Sequence, residues 1–159
     1  MKIKVGHGQD SHRFSSDSRK PLILGGIKLD EEFSLVGNSD ADVILHSITD
    51  AVSSVTGVTI IGKIADEMCK KGITDSKIYL AKALEHLKDY QISHVSITIE
   101  CLKPKIDPLV SEMKESISAL LDIPTKDIGI TATSGEGLTE FGKGLGIHST
   151  AILTFTAFS

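Results

Sequence analysis

Tryptophan is absent from the 159-residue chain, aromatic residues make up 4% of it, and it carries only 2 cysteines and 4 prolines. So few thiols exclude a disulfide-stapled scaffold, and a chain of this length buries enough surface to fold without staples or a structural metal. No apolar run approaches the roughly 20 residues that a membrane-spanning helix needs, so no membrane partner is expected. Neither sign of charge dominates. The 17 basic and 21 acidic residues leave a net charge of -4, and no basic block is present that could track a phosphate backbone, so nucleic acid is not an expected partner. The opening Met1 to Val5 enters a strand pattern at once, without a leader-like segment. With Cys69 and Cys101 read as free thiols, a cytoplasmic location is expected.

What the chain does have is glycine, 14 residues of it, much of it in polar turns near either end, where either an ordinary bend or backbone approach to a ligand would use it. Alternation predicts an extended segment from Ile3 to Phe14, and Pro21 to Leu29 reads as two short strands around Gly25-Gly26. Ser39 followed three residues later by Asp42 has the look of a helix start, and the helix is expected from about Ala41 to about Thr56. A second helix opens at Thr74-Asp75, with Ile78, Leu80, Ala81, Leu84 and Leu87 as its buried side. Strands are expected from Ile92 to Cys101, alternating strictly from Val95, around Ile128 to Ala132, and from Ile147 to Phe155, with a third helix from about Asp107 to Leu121. The stretch from Gly57 to Gly72 carries no clear pattern. Together these predict a single α+β domain over residues 1–159: a mixed four-stranded sheet with helices on one face and a small N-terminal hairpin.

Asp10 and His12 lie two apart on a strand and so share a face, while His46 sits on the first helix between Asp42 and Asp50, each one turn away. Two imidazoles and a carboxylate would make a three-ligand zinc site with one position open to substrate. Spacing alone leaves a satisfied core or surface histidine as an alternative. Thr131 to Leu138 runs from a strand into a hydroxyl- and glycine-rich turn containing Glu136. Thr133 and Ser134 there could meet phosphate oxygens and Glu136 a hard cation, or the segment is a solvated turn. Lys103-Pro104-Lys105 and the glycine-flanked Lys143 are equally open between phosphate contacts and plain bends.

Taken together, Asp10-Ser11-His12, the stretch Ser39-Asp40-Ala41-Asp42-Val43 with His46 and Asp50, and Thr133-Ser134-Gly135-Glu136 resemble the 2-C-methyl-D-erythritol 2,4-cyclodiphosphate synthase family of the non-mevalonate isoprenoid pathway. The resemblance covers nearly the whole chain. It implies a homotrimer with active sites between subunits, and a lyase that releases CMP from 4-diphosphocytidyl-2-C-methyl-D-erythritol 2-phosphate. Asp10, His12 and His46 would bind zinc and Glu136 magnesium or manganese, these four being the catalytic set. Pro104, Lys105, Ile106, Thr133 and Ser134 match the cytidine and phosphate contacts, and Asn38 and Ser39 the loop over the 2-phosphate. Asp42, Asp50, Gly62, Glu67 and Lys143 complete the expected substrate side. The chain departs from the family pattern at Asn38, commonly His, and at Ile60 to Glu67, usually D-I-G-x-x-F-P-D, where Ile60 replaces the first Asp. Glu140 and Lys143 likewise replace the Phe and Arg that line an isoprenoid-diphosphate cavity on the trimer axis. Those departures leave two alternatives: a non-catalytic trimer that binds cytidine nucleotides, and a zinc phosphohydrolase.

Overall fold

The computed structural model describes residues 2–17 and 19–158. Its long strands are β1 (Ile3–Ser15), β5 (Tyr90–Glu100), β6 (Ile128–Thr133) and β7 (Gly146–Ala157), joined at one edge by the two-residue β4 (Ser34–Leu35). The sheet therefore has five strands in the order β4-β1-β7-β5-β6, not the expected four. β4 pairs only Leu35 with Phe14 and Ser34 with Ser15, which is too short to show alternation in sequence. The sheet is mixed as expected: β5 and β6 run parallel and every other pair antiparallel. Strands β2 (Leu22–Leu24) and β3 (Ile27–Leu29) form the separate hairpin, turned by Gly25 and Gly26, both at positive φ, as a two-residue primed turn requires.

Helices α1 (Val43–Thr56), α3 (Ser76–Leu84) and α4 (Val110–Leu121) belong to the layer that covers one face of the sheet. Buried side chains surround nearly the whole of α1, from Val43 through Thr49 and on to Ser53, because it lies between the sheet and the outer elements. Asp42, not Ser39, caps it. The carboxylate of Asp42 is wholly buried and accepts from the amides of Ile44 and Leu45 at 3.1 and 3.0 Å, and from Gly25 and Gly26 of the hairpin turn at 2.9 and 2.7 Å. Burial pushes its pKa up to about 6, against the pull of those amides. One side chain thus caps a helix and ties the hairpin to it.

Two further differences from expectation have simple causes. The unpatterned stretch contains α2 (Lys63–Lys70), in which only Ala65 is buried and Gly62 supplies no side-chain cap, so neither periodicity nor a start signal marks it. On α3 the buried residues are Ser76, Tyr79, Leu80 and Ala83, whereas Ile78 is 45% exposed. The face is rotated toward the tyrosine. No helix among the described residues is long and apolar enough to cross a membrane.

Among the described residues no helix covers the opposite sheet face. Ile3, Val5 and Ile152 stand exposed there, at 57, 64 and 46%, beside His7, Gln9, Ser96 and Thr98.

The spacing between α1 and β1 is set by two glycines. A Cβ on Gly6 would meet the Ala51 carbonyl oxygen at 2.2 Å, and one on Gly8 the Ser47 carbonyl oxygen at 2.0 Å. Helix backbone rests directly on strand backbone, and the Ser47 and Ser149 hydroxyls meet beneath it at 2.8 Å. Gly8→Ala should therefore lower unfolding stability by at least about 1–3 kcal/mol, the usual cost of overpacking. At Gly129 a Cβ would find nothing closer than 3.9 Å, so Gly129→Ala should leave the urea midpoint nearly unchanged. Equal midpoints for the two variants would contradict this packing.

Candidate metal and phosphate site

Strand β1 presents Asp10 and His12 on its helix-facing side, and the close approach of α1 carries His46 across to them. Asp10 Oδ2 lies 3.1 Å from His12 Nε2 and 3.1 Å from His46 Nδ1. The two rings meet edge to face with centroids 5.7 Å apart. One ligand atom from each of the three residues falls within 4.8 Å of the others.

The far side of each ring fixes which nitrogen carries its proton. His12 Nδ1 donates to the Val36 carbonyl at 2.6 Å, which leaves the Nε2 lone pair facing Asp10. His46 Nε2 meets Ser76 Oγ at 2.7 Å, and that hydroxyl donates in turn to Asp40 in a short bond. Ser76 must then accept from the imidazole, so His46 Nδ1 is also a lone pair facing Asp10. The Ser76 amide donates to the second Asp40 oxygen at 3.0 Å. Between Asp40 and the cap Asp42, Ala41 takes a left-handed conformation, φ 57, while wholly buried. That bend turns one carboxylate toward Ser76 and the other toward the helix and hairpin amides.

Three acceptors therefore converge with no donor between them, and His12 Nε2 is buried without a hydrogen bond. Such an arrangement needs a cation or a proton at its centre. Two imidazole nitrogens and a carboxylate oxygen, each imidazole held from behind, suit a borderline divalent metal. Without a metal, protons respond to the same field. Burial opposes the charge on Asp10, but contacts and charges from His12 and His46 outweigh it and hold its pKa at about 2. Burial likewise opposes charge on His12, and Asp10 overcomes it, so the His12 pKa is raised.

The triad opens into a cleft of about 290 Å³ whose wall includes Asn38, Ser39, Gly62, Asp66, Cys69 and Tyr79. Asp66, which the motif reading passed over, reaches this cleft, and Glu67 is exposed outside it. One position along α2 is enough to exchange them. Ile60 is fully buried and offers the cleft no polar group. Asp42 has no exposed surface either, so its carboxylate serves the fold and not a ligand. Asp50 sits one turn beyond His46, half-buried, and feels the charge of Asp10.

A second cleft of about 470 Å³ gathers Pro104, Lys105 and Ile106 with Thr133 and Ser134. The two lysines of its loop are now distinguishable. Lys103 Nζ stands 4.2 Å over the Phe33 ring and 5.2 Å from that of Phe14, while Lys105 is exposed at the cleft wall. Aromatic faces hold the first as a cation–π partner. Glu136 stands exposed on a left-handed turn, φ 52, and lines neither cleft. Lys143 is also outside them, paired with Glu140 at 3.0 Å. Within one chain, then, the triad comes together, and so do the residues expected to contact cytidine and phosphate, but the two clefts share no residue. Asp40 entered the sequence reading only as part of the Ser39 to Val43 stretch, without a role, and Ser76 and Tyr79 not at all, because a lone Ser or Tyr carries no pattern until α3 is docked against α1.

These features define a single-domain α+β protein with a three-donor centre for a divalent metal and a separate, lysine-bearing cleft. A sequence model of the YgbB family matches residues 3–156, and the chain belongs to that family. A 2-C-methyl-D-erythritol 2,4-cyclodiphosphate synthase of Chlamydia caviae is 49% identical over 158 residues, 98% of this chain and 90% of the relative. The Chlamydia felis synthase of the same name is 50% identical over 154 residues, 95% and 88% of the two chains. Among solved structures, the CDP complex of IspF from Plasmodium falciparum superposes with a TM-score of 0.84 at 29% identity, covering 99% of this chain and 97% of that one. The bifunctional IspDF of Campylobacter jejuni gives 0.89 at 26% identity, over 99% of this chain and 43% of the larger protein.

Asp50 gives the site a pH signature. Burial, with the charge of Asp10, raises its pKa to about 6 in the fold against the smaller pull of His46. A raised acid contributes its full stability below the unfolded value of 3.8 and loses it as pH climbs through about 6. The metal-free chain should therefore lose stability between about pH 4 and pH 7 that Asp50→Asn does not lose. Parallel urea midpoints for the two proteins across that range would contradict it.

Proposed function

We propose that this chain is a lyase of the non-mevalonate isoprenoid pathway that converts 4-diphosphocytidyl-2-C-methyl-D-erythritol 2-phosphate to 2-C-methyl-D-erythritol 2,4-cyclodiphosphate and CMP. The observation that carries the reading is the convergence of three acceptor atoms on one point beside a cleft, in a chain about half identical to synthases of that name. In the reaction an oxygen of the substrate's 2-phosphate bonds to the β-phosphorus, and the bond from that phosphorus to the oxygen shared with the α-phosphate breaks, releasing CMP. No water is consumed, and the chain supplies no nucleophile.

Its residues have two tasks, to position two anions in line and to offset their repulsion. Asp10, His12 and His46 would hold zinc and Glu136 magnesium or manganese, the cations supplying phosphate polarisation and charge neutralisation. Asn38 and Ser39, at the cleft mouth, offer donors to the 2-phosphate, and Gly62 and Asp66 line the part suited to erythritol hydroxyls. Lys105, Thr133 and Ser134 take the cytidine diphosphate portion. Asp40 and Ser76 keep the His46 proton on Nε2, so that Nδ1 stays free to ligate. The working form is a homotrimer in which the cytidine cleft of one subunit meets the metal cleft of the next, a reading that rests on the family resemblance and is supported by the separation of the two clefts within one chain. A cytoplasmic location fits the two free cysteines.

Phosphorus NMR of the product tests the reaction. Equimolar CMP and a cyclic diphosphate are expected, without inorganic phosphate, and removing a ligand in His46→Ala should cost more than the ~10–100-fold typical of outer partners. Linear hydrolysis products, or nucleotide binding without turnover, would sink the proposal.

A further inference from the structure

The metal cleft has a charge problem that its own lining does not solve. Two carboxylates, Asp10 and Asp66, face it, and no lysine or arginine does. Asn38 at its mouth is neutral. A divalent metal on the triad would balance those two carboxylates and leave no surplus charge for an entering phosphate.

A cation stands just behind the wall. Lys20 Nζ donates to the Gly37 carbonyl at 2.9 Å, and Gly37 packs so closely on His12 that a Cβ there would meet the ring at 3.2 Å. The Lys20 side chain is partly buried, and its ammonium forms no ion pair among the described residues. Its nearest acid in sequence, Asp17, is taken by Arg19, whose guanidinium donates to both carboxylate oxygens at 2.9 Å. Of the three donors an ammonium carries, one is thus engaged, on a neutral carbonyl. Burial lowers the Lys20 pKa, and the charges of Asp40 and Asp17 draw it back up; Asp40 backs the cleft through Ser76. The ammonium is engaged on one neutral carbonyl and keeps donors free for an anion.

We propose that Lys20 is a substrate-binding residue whose ammonium, held on the Gly37 carbonyl, turns into the metal cleft to contact the phosphate seated at Asn38 and Ser39. This rests on the reaction proposed above. Its four-carbon stem lets it move as a point charge while Gly37 stays fixed. The bland alternative is a strap that merely pins the segment before β2 to the Gly37 loop.

Lys20→Met and Lys20→Arg separate the two, read by steady-state kinetics, zinc content, melting temperature and calorimetric titration of inorganic phosphate into the zinc-loaded protein. Lys20→Met should lower kcat/KM about tenfold or more, mainly through KM, weaken phosphate binding to a similar degree and flatten its salt dependence. Zinc content and melting temperature should hold, and Lys20→Arg should recover most of the loss. Unchanged kcat/KM and phosphate affinity in Lys20→Met would overturn the proposal, as would a loss that tracks zinc content or melting temperature and is not recovered by arginine. If the wild-type chain bound phosphate through Lys20 yet made no cyclic product, the reading of the reaction would fail and the contact would stand.

Discussion

The structure depends on how closely one helix can lie against one strand. Gly6 and Gly8 leave room for the Ala51 and Ser47 carbonyls to rest on β1, and any side chain there would push α1 away. His46 belongs to that helix, and Asp10 and His12 to that strand, so a displacement that a hydrophobic core could absorb elsewhere would here separate ligands. A metal centre tolerates little of this, since its donors must fall within a few tenths of an ångström of their places.

Around that contact the electrostatics are arranged from outside inward. Val36 and the Asp40–Ser76 pair hold the outer nitrogens of the two histidines and so decide what the inner nitrogens offer. Asp42 does the same work for the backbone, capping α1 and pinning the hairpin turn through four amides. The result is a pocket whose partners are all acceptors, a state that a folded chain keeps only if a cation or a proton completes it. A substrate that carries its own nucleophile needs little more than such a cation and a fixed geometry, which is why few reactive side chains are found.

Much of this was legible in the sequence because period-2 and helical patterns mark long, half-buried elements: β1, β5, β7, α1 and α4 all fall where alternation and apolar spacing put them. The triad was legible for the same reason, since D-x-H on a strand and a histidine on an amphipathic helix have defined directions. What failed to show was short or decided by tertiary contact. Two residues of β4 carry no period, α2 buries one residue, and the rotation of α3 toward Tyr79 follows from what packs against it. Asp66 and Glu67 differ by one step of a helix whose phase no sequence pattern declares. The two clefts share no residue, and no pattern in the sequence declares a link between them.

Zinc titration of the chelator-stripped chain, followed by calorimetry, tests the central claim that the histidine tautomers and Asp10 converge on one cation. One zinc per chain should bind saturably at neutral pH, with affinity falling about 10–100-fold when Ser76→Ala releases the outer side of His46. A folded, stripped chain that takes up no zinc, or takes it up equally well without Ser76, would contradict the account.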